Sequence, residues 1–217
     1  MKEMKTIYNK FDKKLIPALP RVLFDGRIIV IQTEAEANKA VSYLMDAPLV
    51  GVDTETRPSF RKGTVNKVAL LQVSTDDTCF LFRLNRIGVP ECVRNLLQDD
   101  RVMKVGLSLR DDFASLHKRG AFEPHAFLEL QDYVKAFGIQ DMSLQKLYAN
   151  VFGQKISKGQ RLTNWEADVL TEGQKLYAAT DAWACIRLYR ELESLKATRD
   201  YTLSIVPEPG KGAVAEA

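Results

Sequence analysis

Histidine and cysteine are scarce in this 217-residue chain, with two and three copies respectively. Cys79, Cys92 and Cys185 stand far apart without metal-ligand spacing, and their odd number argues against a disulfide framework. The expectation is a cytoplasmic protein with free thiols. No apolar run approaches the ~18 residues needed to cross a bilayer, so no membrane partner is expected. Met1-Lys2-Glu3-Met4-Lys5 is charged but leads into no apolar stretch, which argues against a secretory signal. Gly210-Lys211-Gly212 lacks the strand and spacing of a phosphate loop, and no small-molecule cofactor is expected. A strong excess of either charge is also missing. The net charge is +3, and Lys2, Lys5, Lys10, Lys13 and Lys14 against Glu3 and Asp12 account for it. Charge alone therefore names no partner, although basic residues ringing an acidic cleft are compatible with near-neutrality.

The length suits one well-packed domain, expected over 21–200. Residues 1–20, basic and broken by Pro17 and Pro20, read as an irregular lead-in, and 201–217 as a disordered tail. Val22-Leu23-Phe24 and Arg27–Ile31 flank Asp25-Gly26, a two-residue hairpin signal. Thr33 and Glu36 form a capping-box pattern that opens a helix. Leu49–Asp53, Val68–Val73, Cys79–Leu84, Val102–Leu107 and Phe127–Leu130 read as strands. Helices are expected from Pro90 through Leu97, and over Asp112–Arg119, Ser143–Phe152 and Thr171–Leu195. An antiparallel meander followed by strand–helix alternation predicts a mixed α/β sheet flanked by helices.

Three segments put carboxylates where apolar residues would be expected. In Val52-Asp53-Thr54-Glu55-Thr56, strand alternation sets Asp53 and Glu55 on one face, ~6–7 Å apart. By itself Asp-x-Glu is also what a strand end entering a polar turn looks like. The last helix has an inward stripe of Tyr177, Thr180, Asp181, Ala184, Cys185, Leu188 and Leu192. Asp181 stands on it where leucine would stabilise the core, with Tyr177 one turn earlier. A self-satisfied tyrosine–aspartate pair is the competing reading. The third segment offers Asp111 and Asp112 after Val105-Gly106-Leu107, and helix capping competes there. Buried carboxylates are costly unless a cation holds them, so a divalent metal centre that cuts phosphodiesters is the favoured reading.

The order Asp-x-Glu, then a Gly106-to-Asp112 spacing, then Tyr177-x-x-x-Asp181, resembles the DEDDy group of 3′–5′ exonucleases. That group includes ribonuclease D, the proofreading domains of family A polymerases and the Werner syndrome exonuclease domain. The likeness is greatest to the last, through Leu162-Thr163-Asn164-Trp165 and Leu170–Ala182, and spans residues ~28–195, including Ala69-Leu70-Leu71-Gln72. It implies a ribonuclease H-like fold and selects Asp112 over Asp111. Ser108 departs from the usual asparagine, and Leu176 stands where the sister group has histidine. His117 and His125 fall in no motif.

The resemblance further implies two divalent ions, Mg²⁺ or Mn²⁺, held by Asp53, Glu55, Asp112 and Asp181. Tyr177 would orient the attacking water, and the substrate would be DNA or RNA with a free 3′ end, releasing 5′-nucleoside monophosphates. Thr54, Leu107, Phe113 and Arg161 are the candidate substrate contacts, with Lys155 and Lys158 beside Arg161. Trp165 reads as a core anchor. Two other readings stay open: a catalytically silent binding module on the same fold, and a nucleotide phosphohydrolase.

Overall fold

The computed structural model describes residues 4–61, 63 and 65–207. Its elements are β1 (Lys5–Tyr8), a 3-10 helix (Lys13–Ala18), β2 (Arg27–Ile31), α1 (Glu34–Leu44), β3 (Leu49–Thr56), β4 (Val68–Ser74) and β5 (Thr78–Phe82). There follow α2 (Leu84–Ile87), α3 (Glu91–Gln98), β6 (Met103–Gly106), α4 (Leu109–Leu116), β7 (Phe127–Glu129) and α5 (Leu130–Tyr133). A 3-10 segment (Val134–Phe137), α6 (Leu144–Phe152), α7 (Glu172–Thr198) and β8 (Tyr201–Ser204) come last among the described residues. Local capping starts α1 and α7 where the sequence predicts. Thr33 with Glu36, and Thr171 with Gln174, form complete capping boxes.

Six strands lie in the order β2-β5-β4-β3-β6-β7. The β3–β4 and β4–β5 pairs are antiparallel, while β3–β6 and β6–β7 are parallel. This is the expected ribonuclease H-like mixed sheet. Alternation divides its side chains between two cores. Leu70, Cys79 and Leu81 pack with α6 and α7, whereas Val52, Leu71, Val73 and Phe80 pack with α1, α3 and α4.

Four expectations are corrected. Val22-Leu23-Phe24 and Arg27–Ile31 make no hairpin; β2 runs parallel to β5, and Arg21 bridges to Lys155. Gly26 marks a close approach instead of a turn. A Cβ there would lie 2.3 Å from the Asp77 carbonyl oxygen, to which the Arg27 amide donates at 2.8 Å. The lead-in is not irregular, because β1 pairs in parallel with β8, and Ile7 is fully buried. Asn150 extends this pairing: it donates to the Tyr8 carbonyl at 2.7 Å and accepts from the Tyr8 amide at 2.8 Å. Residues 201–204 of the expected disordered tail are therefore a strand, and 208–217 lie outside the described residues. Finally, α4 begins at Leu109, not Asp112, because Ser108 turns the chain with a left-handed φ of 65°.

Candidate active site

β3 runs three residues past Asp53, so Asp53 and Glu55 both stand on a strand and face the same side. Two residues earlier, Gly51 is where α7 crosses. A Cβ on Gly51 would sit 1.9 Å from the Ala182 carbonyl oxygen. Ala178, Ala179, Ala182 and Ala184 are buried without any exposed area, giving α7 a low surface for this crossing. The close contact carries Asp181 to the strand. Carboxylate oxygens of Asp53, Glu55 and Asp181 lie within 4.8 Å of one another. Gly51→Ala is accordingly expected to push α7 outward. Thermal denaturation should register a loss of about 1–3 kcal/mol, and kcat on an oligonucleotide should fall roughly a hundredfold.

Asp112 comes from α4, which packs against the same strand. The Thr54 hydroxyl donates to its Oδ1. Asp111 is exposed and Asp112 half-buried, which leaves Asp112 as the carboxylate turned toward the cluster. Sequence reasoning missed the residue that aims this helix. Glu129, at the end of β7, accepts hydrogen bonds from the amides of Ser108 at 3.1 Å, Leu109 at 2.7 Å and Gln131 at 2.9 Å. Ser108 makes no side-chain cap, so the free amides at the start of α4 fall to Glu129. Nothing local in the sequence signals this role, because it depends on β7 lying beside the start of α4.

The electrostatics are those of a site short of positive charge. Asp53 is held well above the usual carboxylate range by burial, then by Asp112, Asp181 and Glu55. Burial, then Asp181 and Asp112, push Glu55 up to about 9, against the opposing charge of Arg161. Burial pushes Asp112 up to about 7, although the Thr54 hydrogen bond opposes it. Asp181 is also pushed up to about 7 by burial, opposed by the Tyr177 hydroxyl and by Lys158. Tyr177 itself is raised by burial and then by Asp181, so its hydroxyl keeps its proton. Its ring lies 6.0 Å from that of Trp165, which is fully buried and serves as a core anchor.

Of the remaining candidates, Phe113 lines a small cavity with Asp53, Thr54 and Asp112. Leu107 is half-buried against the core beneath α7. Phe113 is half-buried and meets Phe127 edge-on at 4.7 Å and Phe122 at 6.3 Å. Arg161 and Lys158 are exposed.

These residues fit a divalent cation. All the donors are carboxylate oxygens, the hard ligands that Mg²⁺ and Mn²⁺ favour. The buried Asp181 Oδ1 has no hydrogen-bond partner among the described residues. Both amide atoms of Gln72, directly opposite Asp53 on β4, are likewise unpartnered.

This mixed sheet is a fold that solved exonuclease structures share. Escherichia coli RNase D has such a fold: its crystal structure superposes with a TM-score of 0.68 at 20% identity, covering 78% of this chain and 46% of that one. Residues 28–196 match a family model described as 3′–5′ exonuclease. An Arabidopsis thaliana 3′–5′ exonuclease is 31% identical over 208 residues, covering 88% of this chain and 72% of the relative. The exonuclease/ATP-dependent helicase WRN of Mus musculus is 33% identical over 187 residues, covering 82% of this chain and 13% of that protein. The chain belongs to the 3′–5′ exonuclease family, whose members are hydrolases of phosphodiester bonds. The resemblance to ribonuclease D and the Werner exonuclease domain is thereby borne out.

Proposed function

We propose that this chain removes 5′-nucleoside monophosphates one at a time from the free 3′ end of a DNA or RNA strand. The observation that carries this reading is the meeting of Asp53, Glu55 and Asp181 within 4.8 Å, all three inside the stretch that matches the 3′–5′ exonuclease family. Asp53, Glu55 and Asp181 would hold one Mg²⁺ or Mn²⁺ ion, and Asp53 with Asp112 a second. Such ions, when bound, supply charge neutralisation at the phosphate and an acidified water.

The chain's own groups do the positioning. Thr54 fixes the Asp112 carboxylate through its hydroxyl. Tyr177 stays protonated beside Asp181 and offers an O–H to hold the attacking water in line with the phosphorus. It acts by orientation, since a phenol that keeps its proton is no base. The high proton affinity of the unliganded cluster means that loading the ions expels protons from it.

The test uses 5′-labelled single strands of DNA and RNA and recessed duplexes, with Mg²⁺, Mn²⁺ or EDTA, resolved on a sequencing gel. A metal-dependent ladder shortening from the 3′ end is expected, and it should vanish in Asp53→Ala. No ladder on any polymer from a folded preparation would sink this reading in favour of a silent binding module or a mononucleotide substrate.

A further inference from the structure

Beside the carboxylate cluster the surface changes sign. Arg161 acts electrostatically on Glu55 and Lys158 on Asp181, so both cations border the acidic residues. From there a cleft of about 280 Å³ opens, lined by Lys13, Arg21 and Lys155 over Ile16, Pro17 and Ile156. Two of its cations come from the segment before residue 28, outside the stretch that matches the exonuclease family.

That segment is locked in place. The Val22 amide donates to the Lys155 carbonyl at 3.1 Å, the Lys155 amide donates to the Pro20 carbonyl at 2.9 Å, and the Lys155 ammonium donates to the Pro17 carbonyl. Arg21 is thereby held opposite Lys155. Among the described residues, Lys13, Arg21, Lys158 and Arg161 have no carboxylate ion-pair partner, although the chain forms such pairs elsewhere, as between Lys146 and Asp141. Cations gathered without a direct ion-pair partner repel one another. Consistent with this, burial and then the charges of Arg161 and Lys13 push the Lys158 ammonium below the usual lysine range.

We propose that this basic cleft is the track for the uncut strand. Phosphates on the 5′ side of the scissile bond pass from Lys158 and Arg161 onto Lys13, Arg21 and Lys155, so that the segment before the family domain selects polymeric, single-stranded substrates. The inference rests on the exonuclease reading for its direction. Its apolar floor gives unpaired bases and sugars a surface to lie on. Each cation on a phosphate contributes to the salt dependence of binding.

The test compares the unaltered chain with K13A/R21A, using a 5′-fluorescent 12-nucleotide single strand in EDTA and reading anisotropy from 50 to 300 mM salt. Both side chains are exposed, and an unchanged melting temperature verifies the fold. The variant is expected to bind roughly tenfold more weakly at 50 mM salt. Its slope of log Kd against log salt should be smaller by about 1.4, for two phosphates at about 0.7 each. Hydrolysis supplies an independent reading. The ratio of activity on the 12-mer to activity on the p-nitrophenyl ester of thymidine 5′-monophosphate should drop about tenfold. Lys39→Ala, on α1 away from the cleft, controls for the loss of a positive charge. Equal affinity and equal slope in K13A/R21A would overturn the track. If the unaltered chain cleaves neither the oligonucleotide nor the ester, the exonuclease reading fails, and the binding comparison still decides the track.

Discussion

Asp53→Asn is expected to lose at least about a thousandfold in activity while raising the melting temperature of the metal-free chain. The loss follows from the position of Asp53, within reach of Glu55 and Asp181 and felt strongly by Asp112. A carboxylate shared by two ion sites supports charge neutralisation worth several kcal/mol in the transition state, and about 4 kcal/mol is a thousandfold in rate. The gain has the same origin. Burial and three neighbouring carboxylates all oppose a charge at Asp53, so the fold carries it at a cost. An amide of the same shape removes that repulsion. A gain of about 1–3 kcal/mol corresponds to roughly 2–12 °C in a domain of this size. Thermal denaturation in EDTA at neutral pH, beside the gel assay, checks both halves. Retained activity, or a melting temperature that falls by this amount, would refute the assignment.

In EDTA, stability should decline as the pH rises from 5 to 9, and added Mn²⁺ should reverse that trend. Free Asp and Glu titrate near 4. In the fold Asp112 and Asp181 are pushed up to about 7 and Glu55 up to about 9. Between those limits the folded chain holds more protons than the unfolded one, so stability must fall with pH. The contribution of these groups is fully present below about pH 4 and is lost as the pH passes about 7 and then about 9. Each pH unit is worth about 1.4 kcal/mol per group, shared among coupled neighbours. Metal ligation needs the same groups deprotonated, so its stabilisation grows with pH. At a hundred times Kd it adds about 2.7 kcal/mol, or roughly 5–11 °C. The Mn²⁺-induced rise in melting temperature should therefore be small at pH 5.5 and of this size at pH 8.5. A rise independent of pH would show that the ion binds away from the carboxylates.

What the sequence made legible follows from the range of each signal. The capping boxes at Thr33 and Thr171 are written within four residues, and both helices start there. Asp53, Glu55, Tyr177 and Asp181 were legible because strand and helix periodicity place polar groups on faces that should be apolar. Glu129 was not, since its task is to cap a helix that begins twenty residues earlier in the chain. The Asp25-Gly26 signal was real but ambiguous: glycine permits a tight turn and equally a close approach between backbones, and here it serves the second use. β1 was hidden by the basic residues around it, with Lys2, Lys5 and Lys10 close together in the sequence. Lys5 faces Glu191 in an ion pair while Ile7 points inward, and the strand's partner lies at the far end of the chain.

That last pairing also imposes an order in time. During ribosomal synthesis β1 emerges first, yet the strand that completes it, β8, emerges only after α7. The six-stranded sheet and its carboxylates can assemble while β1 still has no mate. The nascent chain thus passes through a stage with its principal layers in place and an early-made strand edge open to other chains. Closing that edge must wait until β8 has left the exit tunnel.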